Sequence, residues 1–468
     1  MIYDVAILGG GVVGCAILNK LTRINKNCVL IEKNSDVSTE TSKANSGIVH
    51  AGFDAKPGTK KAILNVRGSR LMPKLCQELQ VELVNNGALV IGNDKKVVEE
   101  LYNRGVQNGV EGLEILDRQK LIKILPTITE NITCGLLAKT SSIVSPYKLS
   151  IALAEEAVLN GATIVFNFET SNFKKIDDYY ELFDGKTKIL AKKIVLACGG
   201  EHNEIAKVLN TQTYDIKYRR GEYYLLDKNS VDLGGYTIFP LPTKESKGVL
   251  VSPTVHGNVI VGPTSILCDN NLTITTEEGL SDIASKASAM LSNVNLRKNI
   301  RVFSGVRTLV GDDFVIEKDS INPDVINVTG ICSPGLSASP AIAEEVVKLL
   351  GFDLIETKKM IRRKECPKIA NLSQSELNKL IKKDKNFGKI VCRCEMVSMA
   401  EIIDAINSPL KPISLDGIKR RTRAGMGRCQ SGFCFMKVME LIAKERNISI
   451  DEVTKDNSNS RIIVGNIK

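Results

Sequence analysis

Near the start of the chain the apolar residues fall into three patterns: an unbroken run from Val5 to Leu8, a helix-forming stretch to Leu21, and a second run from Cys28 to Ile31. Short apolar runs bounded by glycine or charge predict buried strands, and the longer segment between them, entered through glycines, predicts a helix. "VAILGGGVVGCAILNKLTRINKNCVLIEK" therefore reads as a βαβ unit, the opening of a parallel sheet. The same logic returns twice. "SPYKLSIALAEEAVLNGATIVF" gives a helix and a strand and runs on to the buried strand of "AKKIVLACGG", while "NPDVINVTGICSPGLSASPAIAEEVVKLLG" gives a strand, a Gly/Pro turn and a helix ending at Gly351.

The intervening segments carry β character instead. "GALVIG" stands between helical patterns, and "EYYLL", "YTIFPLP", "VLVSPTV" and "NVIVGPT" follow one another from Tyr214 to Ile266, as an inserted domain would. The polar, Lys-rich stretch 356–388 predicts a linker with one short helix near Gln374 to Lys382. A chain of 468 residues suggests two or three cores. The expected division is a sheet domain from 1–80, 145–213 and 300–355, an inserted domain from 81–144 and 214–299, and a terminal domain at 389–455.

Charge separates this last region from the rest. Residues 356–468 hold 24 Lys and Arg against 13 Asp and Glu, a balance of +11, whereas the preceding part balances at −1. Such segregation marks a module that meets something anionic. No apolar run reaches the length of a membrane span, and Met1 leads directly into a strand, so the expected location is cytoplasmic, with peripheral membrane contact left open. Eight scattered cysteines fit small buried hydrophobes in a reducing compartment.

Between the first strand and helix lies G-x-G-x-x-G, formed by Gly9, Gly11 and Gly14, and Glu32 ends the next strand. Gly9 permits the tight turn, Gly11 lets backbone approach a pyrophosphate, and Gly14 lets helix and strand pack closely. The helix N-terminus favours phosphate charge, and Glu32 can accept both ribose hydroxyls while repelling a 2′-phosphate. Together these features predict a bound dinucleotide.

The fingerprint, "TSKANSGIVHAG" after it, "KKIVLACGG", "FSGVRT" and "NVTGICSPGLSASPAIAEEVV" resemble the FAD-dependent oxidoreductases related to D-amino-acid oxidase, over roughly the first 350 residues. Within them the sequence looks most like the bacterial FAD-dependent glycerol-3-phosphate dehydrogenases with a ferredoxin-like tail, and nearly as much like L-2-hydroxyglutarate oxidases. The resemblance implies α/β and α+β architecture: a Rossmann-like FAD-binding domain with an inserted antiparallel-sheet substrate domain, and FAD rather than NAD. Gly9, Gly11, Gly14 and Glu32 would hold its ADP half, Thr41, Ser42, Asn45, Ser46 and Gly47 would line the way to the flavin ring, and Gly199 and Gly200 would lie beside the adenosine. Gly335, Leu336 and Ser337 would sit at the start of the last helix, with Ser337 equally readable as its N-cap.

Oxidising a carbon that bears an alcohol or amine needs a base for the heteroatom proton. Of the three histidines, His256 is expected as general base, His50 as a flavin or substrate contact, and His202 as a helix cap. Arg307 in "SGVRTLVGDD" occupies the place where the resembled family anchors an anionic substrate; Arg219, Arg220 and Tyr223 could form the opposite wall.

Cys392-x-Cys394 and Cys429-x4-Cys434 form two pairs such as a metal centre requires, and four thiolates suit zinc or an iron–sulfur cluster. Neither pair has the zinc-ribbon spacing. "CRCE" and "KRRTRAGMGRCQ" resemble the 2Fe-2S domain of bacterioferritin-associated ferredoxin, which implies a small helical C-terminal iron-sulfur domain; Ser431 stands where that domain has glycine. Ser398 and Glu401 predict a capping box for a helix through Ile406, and Phe435, Val438, Met439 and Ile442 share a face of another. Lys419, Arg420, Arg421, Arg423 and Arg428 are expected to stabilise the cluster's negative charge.

The leading expectation is thus a dehydrogenase of a small anionic 2-hydroxy compound, sn-glycerol 3-phosphate first and L-2-hydroxyglutarate second, passing electrons through FAD and the cluster to a partner subunit or carrier. The competing reading is a redox relay whose basic "KRRTR" run binds nucleic acid. Only Phe387, Phe433 and Phe435 could stack on bases there, so no nucleic acid is expected.

Overall fold

The computed structural model describes residues 1–243 and 248–465. Five strands run parallel in the order Thr163–Val165, Cys28–Ile31, Ile2–Leu8, Lys188–Leu196, Val325–Thr329. Val5 and Ile7 join the core beneath the helices Val12–Arg23, Pro146–Leu159 and Gly335–Leu349; Ala6 and Leu8 join the core on the opposite face. Burial on both faces is why these strands read as unbroken apolar runs. A hairpin, Asn172–Ile176 with Tyr179–Phe183, adds antiparallel pairing to the first half of Lys188–Leu196.

The inserted domain is a nine-stranded sheet, antiparallel except where Thr237–Pro240 runs parallel to Ala88–Gly92. Its longest pair joins Ile216–Leu226 to Asn299–Val310. That pairing carries the sheet to Val310, past the expected boundary at 300. Sequence could not show this, because the pattern of a strand does not name the sheet it enters.

The terminal domain contains the short pair Ile390–Cys392 and Val397–Ser398 and three helices, Met399–Ile406, Leu415–Thr422 and Phe435–Arg446. The predicted capping box is present: Ser398 Oγ accepts from Glu401 N–H, and the Glu401 carboxylate accepts from Ser398 N–H at 2.8 Å. Val438, Met439 and Ile442 are buried, with Phe435 packed beside them.

The basic tail is not free. Arg420 and Arg421 both grip Asp36 of the first domain, at 3.0 Å and 2.8 Å, and Asp36 is only 1% exposed. Arg420 also holds Asp456 at 2.8 Å, and Arg363 pairs with buried Glu155 at 3.0 Å. Glu156, fully buried, receives Arg23 and Arg362, each at 2.8 Å. Segment 356–368 is therefore a strap along the helix Pro146–Leu159 rather than a loose linker. The expectation for the basic run is corrected accordingly. Arg420 and Arg421 neutralise carboxylates of the body, Lys419 pairs with Asp416 at 2.6 Å, and Arg423 with Glu395 at 2.8 Å; Arg428 alone of the five is exposed beside a cysteine.

Burial alone would raise the pKa of Asp36, but Arg421 and Arg420 outweigh it and hold the carboxyl below its ordinary value. A folded pKa below the unfolded one means the contribution is complete above the unfolded value near 3.8 and fades only as pH falls through the lower folded value. Acidifying from neutrality to about pH 5 should thus leave the domain docked. Replacing Asp36 with Ala leaves Arg420 with Asp456 and Arg421 with Glu155 alone, at 2.8 Å and 3.5 Å, and should cost up to about 3 kcal/mol, less than stranding a buried charge outright. The loss should appear as a lower Tm and as faster proteolysis within 356–388, both absent from the wild type at either pH.

Candidate functional site

A cavity of about 800 Å³ opens where the carboxyl ends of the parallel strands meet the inserted sheet. Gly9, Gly11, Glu32, Thr41, Ser42, Asn45, Ser46, Gly199, Gly200, Gly335 and Leu336 all line it, with His50, Arg219, Tyr223 and Arg307. Gly9 has φ +108°, and a side chain there would meet Ala197 O at 2.4 Å; one on Gly14 would meet Gly9 O at 2.0 Å. These glycines therefore have the two steric roles expected of them. Helix Val12–Arg23 begins without a side-chain cap of its own; Val12 N–H donates to Ser42 Oγ at 2.9 Å, and the turn from Gly9 to Val13 faces the cavity. That end presents the positive pole of the helix to an anion.

Glu32 accepts from Gly10 N–H at 2.6 Å and from Asn34 N–H at 2.8 Å. A carboxylate offers about four lone-pair positions, so acceptor capacity remains for a ribose diol. Burial raises its pKa, and the two backbone donors oppose that.

Two predicted members stand behind the wall. Ser337 is fully buried, accepts from His50 N–H at 2.7 Å and donates to Ile48 O at 3.3 Å, so it ties the last helix to the strand Ile48–Val49; Pro334, not Ser337, is the N-cap. Gly47 backs onto Val144 O, 2.5 Å from where its side chain would begin.

His50 stands on the wall itself, its Nε2 3.4 Å from Ser333 Oγ and its ring 5.9 Å from that of Phe239. His256 does not join it. Leu250, the first residue of the strand Leu250–Pro253, lines the cavity, but the strand carries the chain away, and His256 lies on the turn at its far end. There it faces a separate space of about 280 Å³ between the body, the strap and the terminal domain. Burial first, then Arg423, pushes its pKa down to about 2, so it stays neutral. Periodicity located the strand but not its direction. His202 caps nothing: it is wholly buried against Tyr214, and burial lowers its pKa to about 4.

Arg219 and Arg307 are directly opposed on the paired strands Ile216–Leu226 and Asn299–Val310. Arg307 donates to Thr264 O at 2.8 Å and forms no ion pair among the described residues; Arg219 donates to Ser265 Oγ at 3.1 Å. A guanidinium with no carboxylate partner among the described residues, as at Arg307, can meet an anion in the cavity with paired charge-assisted hydrogen bonds. Arg220 points elsewhere, to buried Glu222 at 3.0 Å. The sequence reading missed Tyr218, Phe239 and Ser333; of these, Ser333 had a signal, being in the Gly/Pro turn before Gly335.

In the terminal domain the four thiols act on one another: Cys392 on Cys434 and Cys394, and Cys429 on Cys394 and Cys434. Among the described residues no three donors gather about one metal-ion position. The neighbouring Cys434 thiol draws the Cys392 thiol down to about 6, helped by the backbone at Gly425 and Glu395. Ser431, where glycine was expected, has φ +77°, the left-handed conformation that explains the expectation.

Residues 4–349 match the family model described as FAD dependent oxidoreductase. The chain belongs to this family. Residues 390–444 match a second model, the BFD-like [2Fe-2S] binding domain. The cofactors are FAD and a 2Fe-2S cluster, and the two donor sets described above fit them. A glycerol 3-phosphate dehydrogenase from Caloramator mitchellensis is 43% identical over 100% of this chain and 99% of its own length. A glycerol 3-phosphate oxidase from Mycoplasma pneumoniae is 30% identical over 76% of this chain and 96% of its own. The solved structure of the L-alpha-glycerophosphate oxidase from that organism, reduced and with FAD bound, superposes with a TM-score of 0.73 at 28% identity, covering 78% of this chain and 99% of that one. No helix among the described residues is long and apolar enough to cross a membrane.

Since a side chain at Gly9 would collide with backbone, Gly9→Ala should yield folded protein that purifies without flavin absorption while keeping the cluster's EPR signal.

Proposed function

We propose that this protein is a dehydrogenase that oxidises sn-glycerol 3-phosphate to dihydroxyacetone phosphate. The observation that carries the reading is the opposition of Arg219 and Arg307 in a cavity whose one histidine is His50. A phosphate dianion matches two guanidinium forks better than a single carboxylate does. Bound FAD supplies the hydride acceptor. His50 takes the hydroxyl proton at Nε2, the nitrogen that faces Ser333 Oγ at 3.4 Å and that the substrate hydroxyl would take over from it. Arg307 fixes the phosphate, Arg219 shares its charge, and Tyr223, flat against Phe303 at 4.7 Å, shields the site from water. Electrons then leave through the terminal domain to a partner. In support, the relative matched along the whole chain is named a dehydrogenase, while the oxidases match about three quarters of it.

Anaerobic sn-glycerol 3-phosphate should bleach the flavin and L-2-hydroxyglutarate should not; faster bleaching by the latter would replace the substrate. Arg307→Ala should raise KM about 10- to 100-fold, the worth of a charge-assisted hydrogen bond of about 1.5–3 kcal/mol, with Arg307→Lys recovering part. His50→Gln should instead lower kcat by about 10²–10⁴ with a smaller effect on KM, measured as the rate of flavin reduction in stopped flow.

A further inference from the structure

The terminal domain is held to the body through Arg420, Arg421 and Arg423, and part of its cysteine loops stays open to solvent. Cys392 and Cys434 are buried, but Cys394 is exposed and Cys429 partly so. Beside them Phe433 is 90% exposed, with Met396 at 47% and Met436 at 45%. A large aromatic ring left in water next to a redox centre is the kind of exposed apolar feature that marks an interaction site. Charge is arranged around it. Arg393 and Arg428 are exposed and make no ion pair among the described residues, and the one carboxylate in these loops, Glu395, has a side chain 5% exposed and is neutralised by Arg423 and Lys228.

We propose that this face, an apolar centre at Phe433 and Met436 with a cationic rim at Arg393 and Arg428, is the docking surface for a small acidic one-electron carrier protein. The inference rests on the dehydrogenase reading above and adds the outlet that reading lacks. Oxidation of the alcohol to the ketone releases two electrons and two protons; two carrier molecules are each reduced by one electron per ketone formed, and the protons pass to water. An acidic surface complements the rim, and the exposed ring provides the anchor that a small, transient interface needs. A membrane is the poorer occupant, because stable attachment takes a second apolar signal and the helix Phe435–Arg446 turns Val438, Met439 and Ile442 inward.

The test uses the holoenzyme and a purified acidic flavodoxin as probe, with affinity read by calorimetry at low and high salt. Wild type should bind, more weakly as salt rises. Phe433→Ala should weaken binding about tenfold or more, Phe433→Glu should abolish it, and Phe433→Tyr should retain it. Arg393→Glu should weaken binding and flatten the salt dependence, in protein whose EPR spectrum shows the cluster intact. Flavin bleaching by substrate should be unchanged in every Phe433 variant. The proposal is overturned if wild type does not bind, if Phe433→Glu binds as wild type, or if Phe433 mediates retention by phosphatidylserine vesicles in place of carrier binding. Absence of bleaching by glycerol 3-phosphate would remove the functional reading whatever the calorimetry gives; normal bleaching with carrier binding indifferent to Phe433 removes only this surface.

Discussion

The arrangement of this molecule depends on carboxylates that the body buries and cannot neutralise without the tail. Asp36 and Glu155 lie below the surface of the flavin domain, and their counter-charges arrive from beyond residue 360. An unpaired carboxylate in such a place is strongly unfavourable, whereas a planar guanidinium can meet it with two parallel bonds. The tail's excess of positive charge thereby acquires a structural cause. It fixes where the iron–sulfur module sits before any redox chemistry is considered.

The same loop links that docking to the cofactor cavity. Asp36 follows Glu32 by four residues and precedes Thr41 and Ser42, so one stretch of chain lines the nucleotide site and anchors the module. On the other side, Tyr147, at the first turn of the helix that carries Glu155, donates from its hydroxyl toward the sulfur of Met426 at 3.5 Å, just ahead of Cys429. Two independent contacts thus hold the cysteine loops against elements that also support the cavity wall.

Much of this was legible in the sequence because it is written locally. The glycine turn, the capping box at Ser398, the helix at Gln374–Lys383 and the two cysteine pairs each depend on residues within a few positions of one another. The misreadings concern direction and distance. His256 stands just past the end of a strand of the inserted domain, but that end points away from the cavity, and the partner of Arg421 lies 385 residues away. Ser337 was read for its position at a helix start, while its burial against Ile48 is a fact of packing. The imbalance of charge between the two parts of the chain was the visible trace of the docking; it was attributed to the cluster because the cluster was the nearest anion in sequence.

The clamp on Asp36 also limits how such a module can be inherited. Moved onto a flavoprotein body that has no acidic residue at that loop, the tail would arrive with Arg420 and Arg421 facing a surface unable to receive them. Fusion alone would then give two tethered domains, not a single machine. Acquisition of the receiving carboxylates is the step that turns a neighbour into a component.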